Sequence, residues 1–274
     1  MPSFVGRVVL RAALGAALTV VAADAAFAQL PHPLSEAPAA ADFLPRVEWK
    51  MSAAYLSNKD ARFDWDTHWA GDFDLFTYPK GRVSFLADYQ ALLGSEFRPF
   101  DPYQSNYLLE ASGSIFFGRT ELAGVLNHVS RHLGDRPKRL AVAENSLGPR
   151  LMRRFGRQDG EMLDVRVDVR KVIARAYDDY TWMEELELVG RRQLNPKAAV
   201  FLRAYGQLIQ VDPAIAGRDA QEGGRLEAGV RLRGSKPTGP VMELFGGTEQ
   251  MIDADVLDRL PRRWAYVGFR ILGQ

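Results

Sequence analysis

The stretch "EMLDVRVDVRKV", Glu161 to Val172, decides the fold. Leu163, Val165, Val167 and Val169 alternate with Asp164, Arg166, Asp168 and Arg170. Side chains on a β-strand point to opposite faces with a period of two, so one face of this strand is apolar and the other is charged. "GRLEAGVRLRG" (Gly224 to Gly234) repeats the pattern, with Leu226, Ala228, Val230 and Leu232 set against Arg225, Glu227, Arg231 and Arg233. The last such stretch, "RWAYVGFRILG" (Arg263 to Gly273), sets Ala265, Val267, Phe269 and Ile271 opposite Trp264, Tyr266 and Arg270. No helical stripe of comparable length follows the first residues of the chain.

Working outward, strands are expected to begin near Val47, Trp69, Arg82, Asn106, Thr120, Arg139, Glu161, Thr181, Lys197, Gly223, Gly239 and Arg263. The connections alternate in character. Those at 79–81, 118–119, 156–160, 193–196 and 235–238 are short and rich in turn residues; most of those between are longer and polar. Twelve strands with short turns at one end and longer loops at the other predict an all-β fold, an antiparallel transmembrane β-barrel. A bilayer offers no water to backbone groups, so only a closed sheet satisfies them, with apolar side chains outward and charges such as Asp168 and Arg170 inward. In a soluble β-sandwich the same alternation would separate core from solvent.

The first residues give an address. Arg7 and Arg11 precede an apolar run from Ala12 to Ala22, and "AFA" (Ala26 to Ala28) supplies a small-x-small cleavage pattern. The organisation expected is a signal peptide over 1–28, an Ala- and Pro-rich arm over 29–46 and a barrel over 47–274, placed in the outer membrane, with a periplasmic or secreted product as the alternative. The chain has no cysteine, which excludes disulfides and thiolate metal sites. A net charge of +1 argues against a nucleic-acid partner. The partners expected are outer-membrane lipids and the machinery that assembles barrels; the chain ends in "FRILGQ", with Phe269 its nearest aromatic. No cofactor is specified.

One polar cluster stands apart. "LNHVSRHLGDRPKR" (Leu126 to Arg139) places His128, Ser130 and His132 on one face of the fifth strand, near its outer end. Leu122 and Leu126 share that face, which favours lipid. If the following turn centres near Arg136, Glu144 faces His128, Val142 faces Ser130 and Leu140 faces His132; Asn145 takes the place of Glu144 only if the register moves. A serine needs a base to become a nucleophile, and the base needs a third group to fix its tautomer, so Ser130, His128 and Glu144 form a candidate catalytic set with Asn145 as substitute orienter. A metal site from His128 and His132 with Asp135 or Glu144 competes with it, as does a polar rim without chemistry. His32 and His68 are expected on surface segments. Aromatics near strand ends, Trp65, Trp69, Tyr78, Phe97, Phe116, Phe117, Tyr180, Trp182, Trp264 and Tyr266, are expected to form interfacial girdles. Charged residues of the seventh and eighth strands, Glu184, Glu185 and Glu187 among them, are expected to line the interior as ion pairs or, alternatively, a selective channel.

The string H-x-S-x-H-L-G-D resembles a bacterial outer-membrane barrel family of unknown function. The segment "NHVSRHLGDRPKRLAVAEN" also resembles lipid A deacylase, with its His/Ser/Glu set, and outer-membrane phospholipase A, with His/Ser/Asn; Arg131 stands where those two families carry Asn. The first resemblance implies a barrel without assigned chemistry, acting in a structural, pore-forming or surface-binding role. The second implies a lipid acyl-ester hydrolase working at the outer rim.

Overall fold

The structure is a computed structural model, and it describes residues 31, 33–34, 36–134, 142–157, 160–236 and 239–273. The expected signal peptide and His32 lie outside the described residues. The strands are β1 (Asp42–Ser57), β2 (Trp65–Tyr78), β3 (Gly81–Gly94), β4 (Asp101–Phe117), β5 (Thr120–Leu133), β6 (Val142–Gly156), β7 (Glu161–Ala176), β8 (Tyr180–Asn195), β9 (Ala198–Val211), β10 (Gln221–Arg233), β11 (Val241–Met251) and β12 (Arg262–Gly273). Each pairs antiparallel with the next, and β1 pairs with β12, closing the barrel. Closure leaves no unpaired edge. β1 begins at Asp42, so its first residues come from the segment expected as an arm.

The alternation read in the sequence becomes inside and outside. On β7, Leu163, Val167 and Val169 are exposed, whereas Asp164, Arg166, Asp168 and Arg170 are buried in the lumen. On β12, Val267 and Phe269 face out, 63% and 44% exposed, and Trp264, Tyr266 and Arg270 face in. The expected girdle therefore loses Trp264, Tyr266 and Phe116, which sit on the inward parity of their strands and are buried, and Tyr180, which is buried at the register shift between Tyr180 and Trp182. Glu184 departs the other way: it shares the outward parity of Trp182 and receives a hydrogen bond from Gln210 at 3.1 Å.

Charges fill the interior in pairs. Arg150 lies between Glu110 (2.5 Å) and Asp168 (2.7 Å), and Arg270 between Glu243 (2.5 Å) and Glu227 (3.0 Å). Arg82 joins Glu121 at 2.7 Å and Asp74 at 3.2 Å. His68, expected on a surface, is buried in this lattice between Asp66 (3.2 Å) and Asp88 (3.0 Å), because β2 starts at Trp65 and carries it inward. A buried charge is tolerable only when paired, and an arginine with two carboxylates meets that condition from several strands at once.

The two ends differ. The end holding Asp42 and Gly273 has the turns 79–80, 118–119, 157–160 and 196–197; Gly118, at φ +61°, takes the left-handed conformation that a two-residue turn needs. The other end carries 58–64, 95–100, 212–220 and 252–261, the pattern of an outer, extracellular end. There the β11–β12 loop folds inward. Ile252 packs with Tyr180, Met183 and Ile209, and Ala254 packs with Phe63, Leu92 and Tyr103. Arg218 clamps Asp179 (2.8 Å) and Asp253 (2.7 Å), and Arg259 reaches both, at 2.5 and 3.0 Å. Burial works against the Asp179 carboxylate, but these two guanidiniums outweigh it and hold its pKa down at about 2. Beneath the loop the lumen keeps a cavity of about 50 Å³, lined by residues such as Arg131, Glu144 and Tyr205. That is room for a few waters. An apolar outer wall around an ion-paired interior inverts the plan of a soluble protein and places this barrel in the bacterial outer membrane.

Candidate active site

The site is built on β5. Thr120 opens the strand after the Gly118 turn, and parity then sends Glu121, Val125, Asn127, Val129 and Arg131 inward. Leu122 and Leu126, 38% and 47% exposed, lie on the outer wall, and His128, Ser130 and His132 continue that face toward the outer rim. The lipid-side placement expected for the triplet therefore holds.

The register with β6 differs from expectation by one residue. His128 faces Asn145, Ser130 faces Ala143, and Glu144 faces Val129. Because side chains alternate, that single step turns Glu144 to the lumen. There it is 1% exposed and 3.8 Å from Arg131, and it does not meet His128. The β5–β6 connection sets this register, and its residues 135–141 lie outside the described residues, Asp135 and Leu140 among them. The residue that meets the base is Asn145: His128 Nδ1 lies 2.9 Å from Asn145 Oδ1. An amide oxygen only accepts, so the proton sits on Nδ1 and Nε2 carries the lone pair.

Ser130 has a different partner. Its Oγ lies 3.2 Å from His132 Nε2. The serine is thus flanked along the strand by two imidazoles, His132 on its hydroxyl and His128 held by Asn145. His128 and His132 engage these neighbours rather than converging on a third ligand, and among the described residues no cluster of three His, Asp or Glu side chains is arranged for a metal ion.

On the β4 side, Tyr107 is the Cα partner of Ser130, and its ring meets His132 edge-on with centroids 5.6 Å apart. Tyr107 continues into Tyr89 (5.1 Å) and Trp69 (5.8 Å), a row of rings across β2 to β4 at the height of the serine. Tyr107 was legible in principle: counting back from the two-residue turn at Gly118 and Arg119 pairs Ser130 with it. The expectation followed only the β6 side and missed it.

No protein-family model matches the chain, and no curated protein matches it. Among solved structures it is similar to an outer membrane channel from Pseudomonas putida F1, with TM-score 0.48 and 13% identity over 91% of this chain and 98% of that one. It is also similar to the outer membrane protein Omp33 of Acinetobacter baumannii, with TM-score 0.39 and 9% identity over 83% and 97% of the two chains. The translocator domain of the autotransporter NalP from Neisseria meningitidis gives TM-score 0.41 and 12% identity over 82% and 86%.

Proposed function

We propose that this outer-membrane barrel hydrolyses acyl esters of membrane lipids at Ser130. The observation that carries the reading is a serine between two histidines on the lipid-facing wall, one of them with its tautomer fixed by an amide. Ser130 Oγ attacks the ester carbonyl carbon, and His128 Nε2 takes the hydroxyl proton. Collapse of the tetrahedral intermediate breaks the ester C–O bond, and the proton passes from His128 to the departing alcohol. Water repeats the sequence on the acyl-serine and frees a fatty acid. In the resting protein the hydroxyl lies on His132, so attack requires the Ser130 side chain to turn toward His128; catalytic hydrogen bonds often tighten only with substrate bound.

The paired charges inside the barrel and the inward-folded loop occupy the lumen, which favours this over an open pore. The wall location supplies what a lipase needs, since the substrate's acyl chains already occupy the bilayer beside Leu122 and Leu126. The test is incubation of the purified, folded barrel with outer-membrane lipids, with and without calcium, measuring released fatty acid. Release by the unmodified protein and its loss in Ser130→Ala are expected. No release under either condition overturns the reading.

A further inference from the structure

A serine hydrolase needs donors for the oxyanion of its tetrahedral intermediate, and many such enzymes take them from backbone N–H groups at a turn. Ser130 has no turn. It lies inside β5, paired with Tyr107 on one side and Ala143 on the other, and Val129 and Arg131 are likewise paired on both sides. The ladder uses the N–H groups of such residues. The donor at this wall must come from elsewhere, and the outward side chains around Ser130 supply few. Ser105 engages the Tyr89 hydroxyl at 3.1 Å and Asn145 holds His128, while His132, released once Ser130 turns to His128, packs its ring against Tyr107. Tyr107 is the phenol directly across the ladder from the serine. It is opposite Ser130, 43% exposed and braced against the His132 ring, and its hydroxyl bonds to no described residue.

Resting on the acyl-hydrolase reading above, we infer that Tyr107 is a further catalytic residue, its phenol donating a hydrogen bond to the carbonyl oxygen as that oxygen takes the electron pair. The phenol keeps its proton throughout, so the step adds no co-reactant. The edge-on contact with His132 sets the ring, and the strand register sets its distance along the wall. A phenol is an accepted donor for such an anion, and one donor contributes about 10²–10³-fold in kcat.

Tyr107→Phe removes the hydroxyl and keeps the ring and its contact with His132. In detergent micelles holding a long-chain acyl ester, the variant is expected to lose about 10²–10³-fold in kcat with KM within about twofold of the unmodified protein. Unchanged heat-modifiable gel mobility would show that the barrel is intact. The rate at which a fluorophosphonate labels Ser130 should fall in parallel, because its tetrahedral adduct places an oxygen at the same position. Hydrolysis by the unmodified protein with Tyr107→Phe at the same kcat overturns the Tyr107 assignment and leaves the hydrolase reading standing. Absence of hydrolysis by the unmodified protein overturns both.

Discussion

At the residue scale the account rests on four outward side chains, and each has a separable role. In the proposed hydrolysis His128 is the base, and its contribution of about 10²–10⁴-fold should vanish in His128→Ala, read as kcat for fatty-acid release. Asn145→Leu keeps approximate volume but removes the acceptor for Nδ1–H, so it should lower kcat while leaving folding intact; an unchanged kcat would mean that the 2.9 Å contact does not orient the base. The sequence made His128 and Ser130 legible because strand parity needs only a strand, and Leu122 and Leu126 marked its lipid side. It did not make the third member legible. Glu144 and Asn145 are neighbours on opposite faces, and choosing between them needs a register that the 134–141 connection does not declare. Chemical plausibility favoured the carboxylate, and pairing delivered the amide.

At the scale of the element, the same register can be tested with no catalysis at all. The chain has no cysteine, so an introduced pair reports alone. Leu126 and Leu147 are Cα partners on the outer wall, and the double variant Leu126→Cys with Leu147→Cys should cross-link on oxidation. Leu126→Cys with Ser146→Cys, the pair required by a register one residue shorter, should not, since Ser146 faces the lumen and is fully buried. Non-reducing gel mobility separates the two. The inward face of the strands carries a second prediction. Arg150 joins Glu110 and Asp168, and Arg150→Ala takes the guanidinium from the buried Glu110 carboxylate, whereas Asp168 keeps Arg166 at 3.2 Å and Arg170 at 2.8 Å. Removing one partner of a buried pair costs about 3–5 kcal/mol, to be read from denaturant unfolding in micelles. These ion pairs were foreseen on β7, where charge and apolar residues alternate without a break. Glu184 escaped because "EELE" on β8 gives three acidic positions on mixed parity, and only its neighbours Trp182 and Leu186 fix which one faces out.

For the whole molecule, the filled lumen and the β11–β12 loop predict a closed barrel: in a planar bilayer the protein should give no stepwise ion conductance, and regular open-state steps would contradict the packing described. The loop also sets a pH limit. Asp179 has a folded-state pKa of about 2 against an ordinary value of 3.8, so its pairing with Arg218 and Arg259 adds stability above the ordinary value and loses it as pH falls toward 2. The unfolding temperature should therefore hold steady down to about pH 4 and drop below it, and the drop should shrink in Arg218→Ala. The barrel as a whole was legible from periodicity and from the alternation of short turns with long loops. The inward fold of 252–261 was not, because a loop rich in Asp and Arg reads as solvated until the opposing charges on Asp179 and Arg218 are placed beside it.

The central claim is that Ser130 is a nucleophile activated by His128 on the lipid-facing wall. The most direct measurement is covalent: treatment of the folded barrel with a fluorophosphonate, digestion, and mass spectrometry of the peptide that contains Ser130. One adduct on Ser130, greatly slowed in His128→Ala, is the predicted result. An unlabelled Ser130 in the folded protein, or labelling equally fast without His128, would contradict it.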